Sequence, residues 1–261
     1  MSGPSAEEIK GLCLPLARVV EVHDALASTQ ERARELALAG TPHGTLVLTG
    51  AQTGGRGRLG RHWGSPRGGL WMSLVLRLGL EAGLASRITQ TAAVGVAEAL
   101  WNFGVEARIK WPNDLLVGGR KICGILAESG VGPGGRLDYA ILGIGTNANL
   151  DPSDLGVTDR GVTTIRSELG QDVDLLSLLR SILTNLDIAL GHIKDFETVL
   201  DEWRTLNCTL GARVRVRRFG ETVEGRAVDL TREGALLLST PGGTVELFEG
   251  EIEHLAQGGT P

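Results

Sequence analysis

The chain has 261 residues, of which 42% are hydrophobic and 22% charged, and its formal net charge is -5. This length and composition suit a globular protein of one or two domains, and the negative charge argues against binding nucleic acid through a broad basic face. No apolar run is long enough to span a membrane and the N-terminal sequence lacks a signal-peptide pattern, so we expect a cytoplasmic protein. Its three cysteines are widely spaced, which fits neither a disulfide framework nor a metal knuckle.

The first 208 residues show alternating signals for helices and strands. Ser28 and Glu31 have the spacing of a capping box, so a helix is predicted over residues 28–40. Helical periodicity of apolar residues predicts further helices at 86–103, 172–193 and 196–206. Apolar, β-branched runs bounded by glycine or by polar residues predict strands at 44–50, 70–78, 107–111, 121–129 and 138–145.

From about residue 210 the pattern changes to short alternating runs with turn glycines, which predict strands within 213–248. Strands at this spacing are typical of a small barrel or sandwich. We therefore predict a larger domain over residues 1–208 and a small one over 209–261. The last residues, AQGGTP (256–261), are expected to be a frayed tail.

A glycine-rich and arginine-rich segment, GGRGRLGRHW (54–63), lies between two of the predicted strands. Glycines let the backbone approach a ligand closely, and arginine side chains donate forked hydrogen bonds to anions. The segment therefore predicts a site for a phosphate or a carboxylate. Its spacing matches neither the P-loop nor the dinucleotide-binding pattern, and an ordinary surface turn is the alternative interpretation.

A second candidate segment, KWPNDLL (110–116), is followed by GGRKICGIL (118–126). Pro112 ends the predicted strand, so Lys110 lies at a strand end, where ligand sites of α/β folds gather. A lysine beside Trp111 in a partly dry cleft can bind an anion, although most lysines at strand ends are only solvated.

The third candidate segment, LGIGTNANL (142–150), ends a predicted strand in Gly-x-Gly-x-Asn. The glycines give access to the backbone, and the amide of Asn147 can donate and accept hydrogen bonds together, as recognition of a base edge or a ureido group requires. Turn geometry alone is the commoner reason for asparagine and glycine in such a place.

In this order the segments resemble one family, the biotin protein ligases. The resemblance extends from about residue 20 to 255. It rests on STQ (28–30), QTGGRGRLGRHW (52–63), KWPNDLL, GGRKICGIL, GIGTN (143–147) and GEIEHL (250–255). The chain departs from the family at Gln30, where Ser-Thr-Asn is usual, and at Leu59, which is often basic in relatives.

The resemblance implies an α/β (α+β) fold, with helices packed on a mixed central sheet as in class II aminoacyl-tRNA synthetases, and an SH3-like C-terminal barrel. It implies an ATP-dependent ligase that activates biotin with MgATP to biotinyl-5′-AMP. The biotin then passes to the ε-amino group of a lysine on a biotin carboxyl carrier domain. ATP and Mg²⁺ are the implied cofactors, with no protein ligand of Mg²⁺ specified.

The same resemblance assigns roles to residues, because fixed cations must bring the biotin carboxylate and the ATP phosphates together. The implied catalytic residues are Lys110, Arg56 and Arg58. The implied biotin-binding residues are Ser28, Thr29, Gln30, Gln52, Arg56, Gly57, Arg58 and Lys110. The implied ATP-binding residues are Arg58, Trp63, Asn113, Lys121, Gly124 and Asn147. The glycines are expected to keep the loop mobile until ligand orders it, with Arg58 retaining the adenylate.

Several alternatives stay open from the sequence. A lipoate or octanoate ligase shares the fold and the carrier lysine, and a non-enzymatic module would only sequester a small anion. Some family members carry an N-terminal DNA-binding domain, but only about 20 residues precede the matching segment here, so we expect no binding to nucleic acid. A homodimer through a sheet edge and the reactivity of Cys123 are undecided.

Overall fold

The computed structural model describes residues 4–156, 161–218 and 220–255. The helices are Ala6–Gly11 (α1), Thr29–Leu38 (α2), Ser86–Trp101 (α3), Ile165–Leu169 (α4), Leu175–Gly191 (α5) and Phe196–Leu206 (α6). The strands are Val19–His23 (β1), Thr45–Thr49 (β2), Leu70–Leu76 (β3), Arg108–Lys110 (β4), Asp114–Val117 (β5), Arg120–Val131 (β6), Leu137–Thr146 (β7), Arg213–Arg218 (β8), Glu221–Leu230 (β9), Leu236–Thr240 (β10), Gly243–Leu247 (β11) and Glu251–His254 (β12). The predicted frayed tail, 256–261, lies outside the described residues.

Seven strands form a mixed sheet in the order β1-β2-β3-β7-β6-β5-β4. Strands β1 and β2 run parallel, and each of the other neighbouring pairs is antiparallel. Strands β2 and β3 are buried at every residue, because helices cover both faces of the sheet at its centre. This explains why their sequences are continuous apolar runs rather than alternating ones.

Helices pack on both faces of this sheet. On one face, α2 contacts β2, β3 and β7 through a small apolar cluster. On the other face, α3 contacts β6 and is itself covered by α5 and α6. Gly95 lets α5 come close to α3, since a Cβ there would lie 2.9 Å from the carbonyl oxygen of Asn185. The mixed α/β architecture predicted from the sequence is confirmed.

The C-terminal strands form a separate antiparallel sheet in the order β11-β10-β9-β8-β12. Its alternating pattern buries one face, including Val214, Val216 and Leu238. Helix α6 is tied to this sheet by Arg204, whose Nε donates to Asp229 Oδ1 at 3.0 Å. The four strands predicted within 213–248 are confirmed.

The structure contains several helices and strands that the sequence did not predict. Helices α2, α3, α5 and α6 were predicted, and the bounds of α6 agree with the prediction. The elements that were not predicted are α1, β1, β5, α4 and β12. Within the described parts of the chain, no helix has both the length and the apolar composition to cross a membrane.

Candidate active site

A cavity of about 410 Å³ opens where the β2–β3 loop, the β4–β5 turn and the strands β6 and β7 meet. The segment Gly250–Ile252 of the C-terminal sheet closes part of its rim. Every site residue predicted from the sequence lines this cavity: Ser28, Thr29, Gln30, Gln52, Arg56, Gly57, Arg58, Trp63, Lys110, Asn113, Lys121, Gly124 and Asn147. The fold thus brings together segments that are more than 100 residues apart in the chain.

One end of the cavity is a network of hydrogen-bonded side chains at the N-terminus of α2. Ser28 is the N-cap of the helix, and its side chain accepts from the Glu31 amide. The amide and hydroxyl of Thr29 lie 2.9 and 3.2 Å from Gln52 Oε1. Gln52 Nε2 donates to Ser65 Oγ at 2.7 Å. These buried or half-buried groups form the polar end of the cavity.

Gln30 belongs to this end, but its amide is engaged by the sheet. Its Nε2 donates to Glu128 Oε2 at 2.9 Å and to the carbonyl oxygen of Ile141 at 3.2 Å. Its Oε1 accepts from Ser73 Oγ at 3.1 Å. The glutamine side chain is longer than the asparagine that relatives usually have, and it therefore extends over strands β3, β7 and β6.

The glycine-rich and arginine-rich loop covers the middle of the cavity. Residues Arg58–Gly60 form a short 3₁₀ turn, in which Leu59 has a φ of 57° and is 69% exposed. Arg58 Nη1 donates to Asn113 Oδ1 at 3.3 Å and to the carbonyl oxygen of Gly250 at 3.2 Å. Arg56 lies outside this contact, with Nη2 3.1 Å from Glu31 Oε1.

Two acidic residues of the C-terminal sheet region, Glu249 and Glu251, lie near the loop. Glu251 forms an ion pair with Arg61. Burial lowers the pKa of the Arg58 guanidinium, and the negative charges of Glu249, Asp114 and Glu251 act against that shift. A half-buried guanidinium held in this way is available to bind an anion without large reorganisation.

Two lysines reach the cavity, one from β4 and one from β6, the strands on either side of β5. Lys110 is the last residue of β4, as the sequence predicts, and lies opposite Asp114 in the β4–β5 pairing. Lys121 Nζ is 2.6 Å from Asp114 Oδ1 and 4.8 Å from the centroid of the Trp63 ring. The ammonium of Lys121 is therefore fixed in place before any ligand binds.

The far end of the cavity has a flat aromatic wall over two glycines. The Trp63 ring packs against Gly145 and Gly124, where a Cβ would lie 2.5 and 3.0 Å from ring atoms. Beside it, Asn147 Nδ2 donates to the carbonyl oxygen of Thr163 at 3.0 Å. Asn147 Oδ1 is buried and has no hydrogen-bond partner among the described residues. This oxygen can accept a hydrogen bond from a ligand.

The sequence did not single out four residues that complete the site. Ser73 lies inside an apolar strand and Glu128 within a strand-like run, so neither carried a signal. Asp114 stands in a motif that was singled out, and Glu251 in the C-terminal segment that supported the resemblance. Their contacts with the cavity residues depend on how the strands pair.

Cys123 lies on β6 next to the cavity but is fully buried. Burial raises the pKa of its thiol to about 12. Because the thiolate is the reactive form of cysteine, Cys123 is an unreactive residue that serves packing.

Comparisons with known proteins agree with this geometry. Residues 22–147 match the model of the biotin/lipoate A/B protein ligase family, and residues 209–255 match the biotin protein ligase C terminal domain. The bifunctional ligase/repressor BirA of Bacillus subtilis is 35% identical over 88% of this chain and 72% of its own length. The biotin–[acetyl-CoA-carboxylase] ligase of Paracoccus denitrificans is 34% identical over 86% of this chain and 96% of its own length.

Among solved structures, biotin protein ligase from Aquifex aeolicus in complex with biotin and ATP is similar, with a TM-score of 0.76 and 28% identity. The similarity covers 90% of this chain and 98% of that one. A cavity with cations at its centre, in a mixed α/β fold with a separate C-terminal sheet, is the arrangement of a carboxylate-activating ligase. The chain belongs to the biotin/lipoate A/B protein ligase family, and the Paracoccus denitrificans and Aquifex aeolicus proteins carry the names of biotin ligases.

Proposed function

We propose that the protein is an ATP-dependent biotin protein ligase. It activates biotin as biotinyl-5′-AMP and transfers the biotinyl group to a lysine of a biotin carboxyl carrier domain. The observation that carries this proposal is a cavity lined by a polar network, a group of cations and an aromatic wall. These three parts fit the ureido head group, the reacting anions and the adenine base.

The polar end supports biotin over lipoate as the substrate. Ser28, Thr29 and Gln52 offer hydroxyl and amide groups to a cyclic urea, whose N–H and C=O groups both need partners when buried. A lipoyl dithiolane has neither the N–H donors nor the carbonyl acceptor of the urea, so it cannot make those hydrogen bonds. The lipoate or octanoate alternative is therefore not favoured, and the Paracoccus denitrificans relative carries the name of a biotin ligase.

The cations support the first step of the reaction. An oxygen of the biotin carboxylate attacks the α-phosphorus of ATP, the bond to the bridging oxygen breaks, and pyrophosphate leaves. Lys110, Arg56 and Arg58 are proposed to stabilise the charge that develops between the two anions. Lys121 supplies a further cation, and its pairing with Asp114 holds it in position.

The aromatic wall supports the nucleotide part of the site. Adenine can stack on Trp63 and present its exocyclic amine to Asn147 Oδ1, the buried acceptor without a partner in the described structure. Asn113, Lys121 and Gly124 line the space between this wall and the loop. Arg58 is proposed to stay on the adenylate after pyrophosphate has left and to exclude water from the mixed anhydride.

The second step needs a partner that brings a lysine to the mouth of the cavity. The lysine nitrogen attacks the acyl carbon of biotinyl-AMP, the bond to the phosphate oxygen breaks, and AMP leaves with the bonding electrons. The amine loses a proton as the amide forms. A biotin carboxyl carrier domain is the proposed partner.

Mg²⁺ is proposed to enter with the phosphates of ATP. Mg²⁺ commonly keeps several waters and binds through substrate phosphates with few protein carboxylates. Among the lining residues that the structure describes, Asp114 and Glu251 carry carboxylates, and each forms an ion pair with a cation of the chain. This donor set suits a metal carried by the nucleotide.

Finer features of the chain are also proposals. We propose that the N-terminal part, residues 1–208, has the class II aminoacyl-tRNA synthetase-like fold and that residues 209–261 form an SH3-like domain. A cytoplasmic location and no binding to nucleic acid are the expectations from composition and charge. A homodimer through a sheet edge stays undecided.

The proposal is tested by incubating the purified protein with biotin, MgATP and a recombinant biotin carboxyl carrier domain. Mass spectrometry should find one biotinyl group on one lysine of the carrier. A carrier domain whose target lysine is replaced by arginine is the control and should stay unmodified. Lack of modification of the intact carrier by folded protein would favour a module that only binds a small anion.

A further inference from the structure

The side chain of Gln30 connects three strands beneath the polar end of the cavity. It contacts Ser73 on β3, Ile141 on β7 and Glu128 on β6. Gly143 makes room for it, because a Cβ at that position would lie 2.5 Å from Gln30 Oε1. Gln30 is only 4% exposed, so its amide has to find its partners within the protein.

The partners of Gln30 fix which way its amide points. Glu128 Oε2 and the carbonyl oxygen of Ile141 are both acceptors, so the amide group facing them must be the NH₂. The carboxylate of Glu128 is in turn held by Arg34, whose Nη2 lies 2.6 Å from Oε1. Gln30 Oε1 must then face Ser73, and the hydroxyl of Ser73 has to donate to it.

The direction of the hydrogen bond from Ser73 to Gln30 also determines the direction of the hydrogen bond between Ser73 and Thr29. Ser73 has one hydroxyl proton and gives it to Gln30, so it can only accept from Thr29 Oγ1, which lies 2.9 Å away. The other neighbour of Thr29 Oγ1 is Gln52 Oε1, also an acceptor, at 3.2 Å. The proton of Thr29 is thus given to a protein acceptor, and the oxygen of this cavity-lining residue keeps the capacity to accept a hydrogen bond from a ligand.

We propose that Gln30 is a positioning residue that, anchored by Glu128, orders the hydroxyls of Ser73 and Thr29 so that Thr29 Oγ1 accepts an N–H of the bound cyclic urea. This inference rests on the proposed function, because the urea is the head group of biotin. It gives the unusual glutamine at this position a role through Ser73 and Thr29, without direct contact with the ligand. It also extends the biotin site to Glu128 on β6.

The test compares Gln30→Met, Glu128→Leu and the double variant with the unaltered protein. Methionine keeps the length and packing of Gln30 but removes its hydrogen bonds. Biotin affinity is measured by calorimetry without ATP, and KM values for biotin and for ATP come from pyrophosphate release. Glu35→Leu is the control, because Glu35 is an exposed carboxylate of the same helix that forms an ion pair with Arg32.

We expect each single variant to bind biotin about three- to tenfold more weakly, the effect of one ordinary hydrogen bond, with the KM for ATP unchanged. The double variant should lose no more than the larger single loss, because both substitutions break the same chain of contacts. The Glu35→Leu protein should bind biotin as the unaltered protein does.

Three results would overturn the inference. The first is normal biotin binding by folded Gln30→Met protein. The second is an equal loss of affinity for biotin and for ATP in a single variant, and the third is a loss of biotin affinity in the double variant that equals the sum of the two single losses. If the proposed function itself is wrong, the unaltered protein will release no pyrophosphate, which distinguishes that failure from failure of the inference about Gln30. The calorimetric comparison still decides the role of Gln30 in that case, unless the unaltered protein does not bind biotin, which would overturn both.

Discussion

Arg58 donates a hydrogen bond to the carbonyl oxygen of Gly250, 192 residues further along the chain, at 3.2 Å. Through this contact and the ion pair between Arg61 and Glu251, the C-terminal sheet holds the loop that covers the cavity. Arg58 also contacts Asn113, which belongs to the second motif. Two of the three candidate sequence segments thus meet the C-terminal part of the chain at one point.

Arg58→Gly should separate formation of the adenylate from its retention. The variant removes the guanidinium that closes over the mixed anhydride, while Lys110 and Arg56 still serve the first step. We expect pyrophosphate release to stay within about tenfold of the unaltered rate, and biotinyl-AMP to escape and label exposed lysines of bystander proteins. Streptavidin blotting of added albumin measures this, and undiminished retention of the adenylate would remove Arg58 from the role.

Lys110→Ala should suppress adenylation itself. Loss of one preorganised cation or donor at a developing charge commonly slows a reaction by about 10²–10³-fold. The rate of pyrophosphate release with saturating substrates checks this, and Lys121→Ala is the comparison variant. A near-normal rate for Lys110→Ala combined with a large loss for Lys121→Ala would transfer the role to Lys121.

Gly145→Ala should weaken the nucleotide site selectively. The added Cβ would lie 2.5 Å from Trp63 Nε1, so the ring has to move away from its glycine floor. We expect the KM for ATP to rise by about tenfold, the effect of losing one stacking contact of ordinary strength, with biotin affinity unchanged. Steady-state kinetics for both substrates test this, and a loss confined to biotin would mean that Trp63 serves the other end of the cavity.

Gly95→Ala should destabilise the fold although alanine favours helices. The gain in helix propensity is about 1 kcal/mol, but the new Cβ would lie 2.9 Å from the main-chain oxygen of Asn185 and push α5 away from α3. Overpacking of this kind costs about 1–3 kcal/mol, so we expect a net loss of up to about 2 kcal/mol in unfolding free energy.

Gly191→Ala is the matched control, because a Cβ at Gly191, also in a helix, would have no heavy atom of the described structure within 4 Å apart from its chain neighbours and its own helix backbone. It should leave the unfolding free energy unchanged or raise it by about 0.5 kcal/mol. Urea denaturation measures both variants. Equal stability of the two would show that α5 adjusts to the larger residue without cost.

Cys123 should resist alkylation in the folded protein. Its burial and its pKa of about 12 leave almost no thiolate at neutral pH, whereas Cys13 is exposed. Iodoacetamide at pH 7.5, followed by peptide mass spectrometry, should modify Cys13 and spare Cys123 until urea is added. Rapid modification of Cys123 under native conditions would show that β6 opens.

Much of this site could be predicted because its residues are close together in the sequence. The capping pattern at Ser28 located α2, and Pro112 located the end of β4 at Lys110. The strand β5 could not be predicted, since four residues within a motif show no periodicity. The reach of Gln30 to Glu128 and the contact of Arg58 with Gly250 depend on strand order and on the placement of the C-terminal sheet, which no local pattern reports.

Pyrophosphate release by the purified protein with MgATP, before any carrier is added, shows directly whether the protein activates biotin. With biotin we expect a burst equal to about one turnover per cavity, because the adenylate stays bound. With lipoate we expect no burst. A burst with lipoate alone would contradict the assignment of the polar end, and no burst with either substrate from folded protein would contradict the ligase itself.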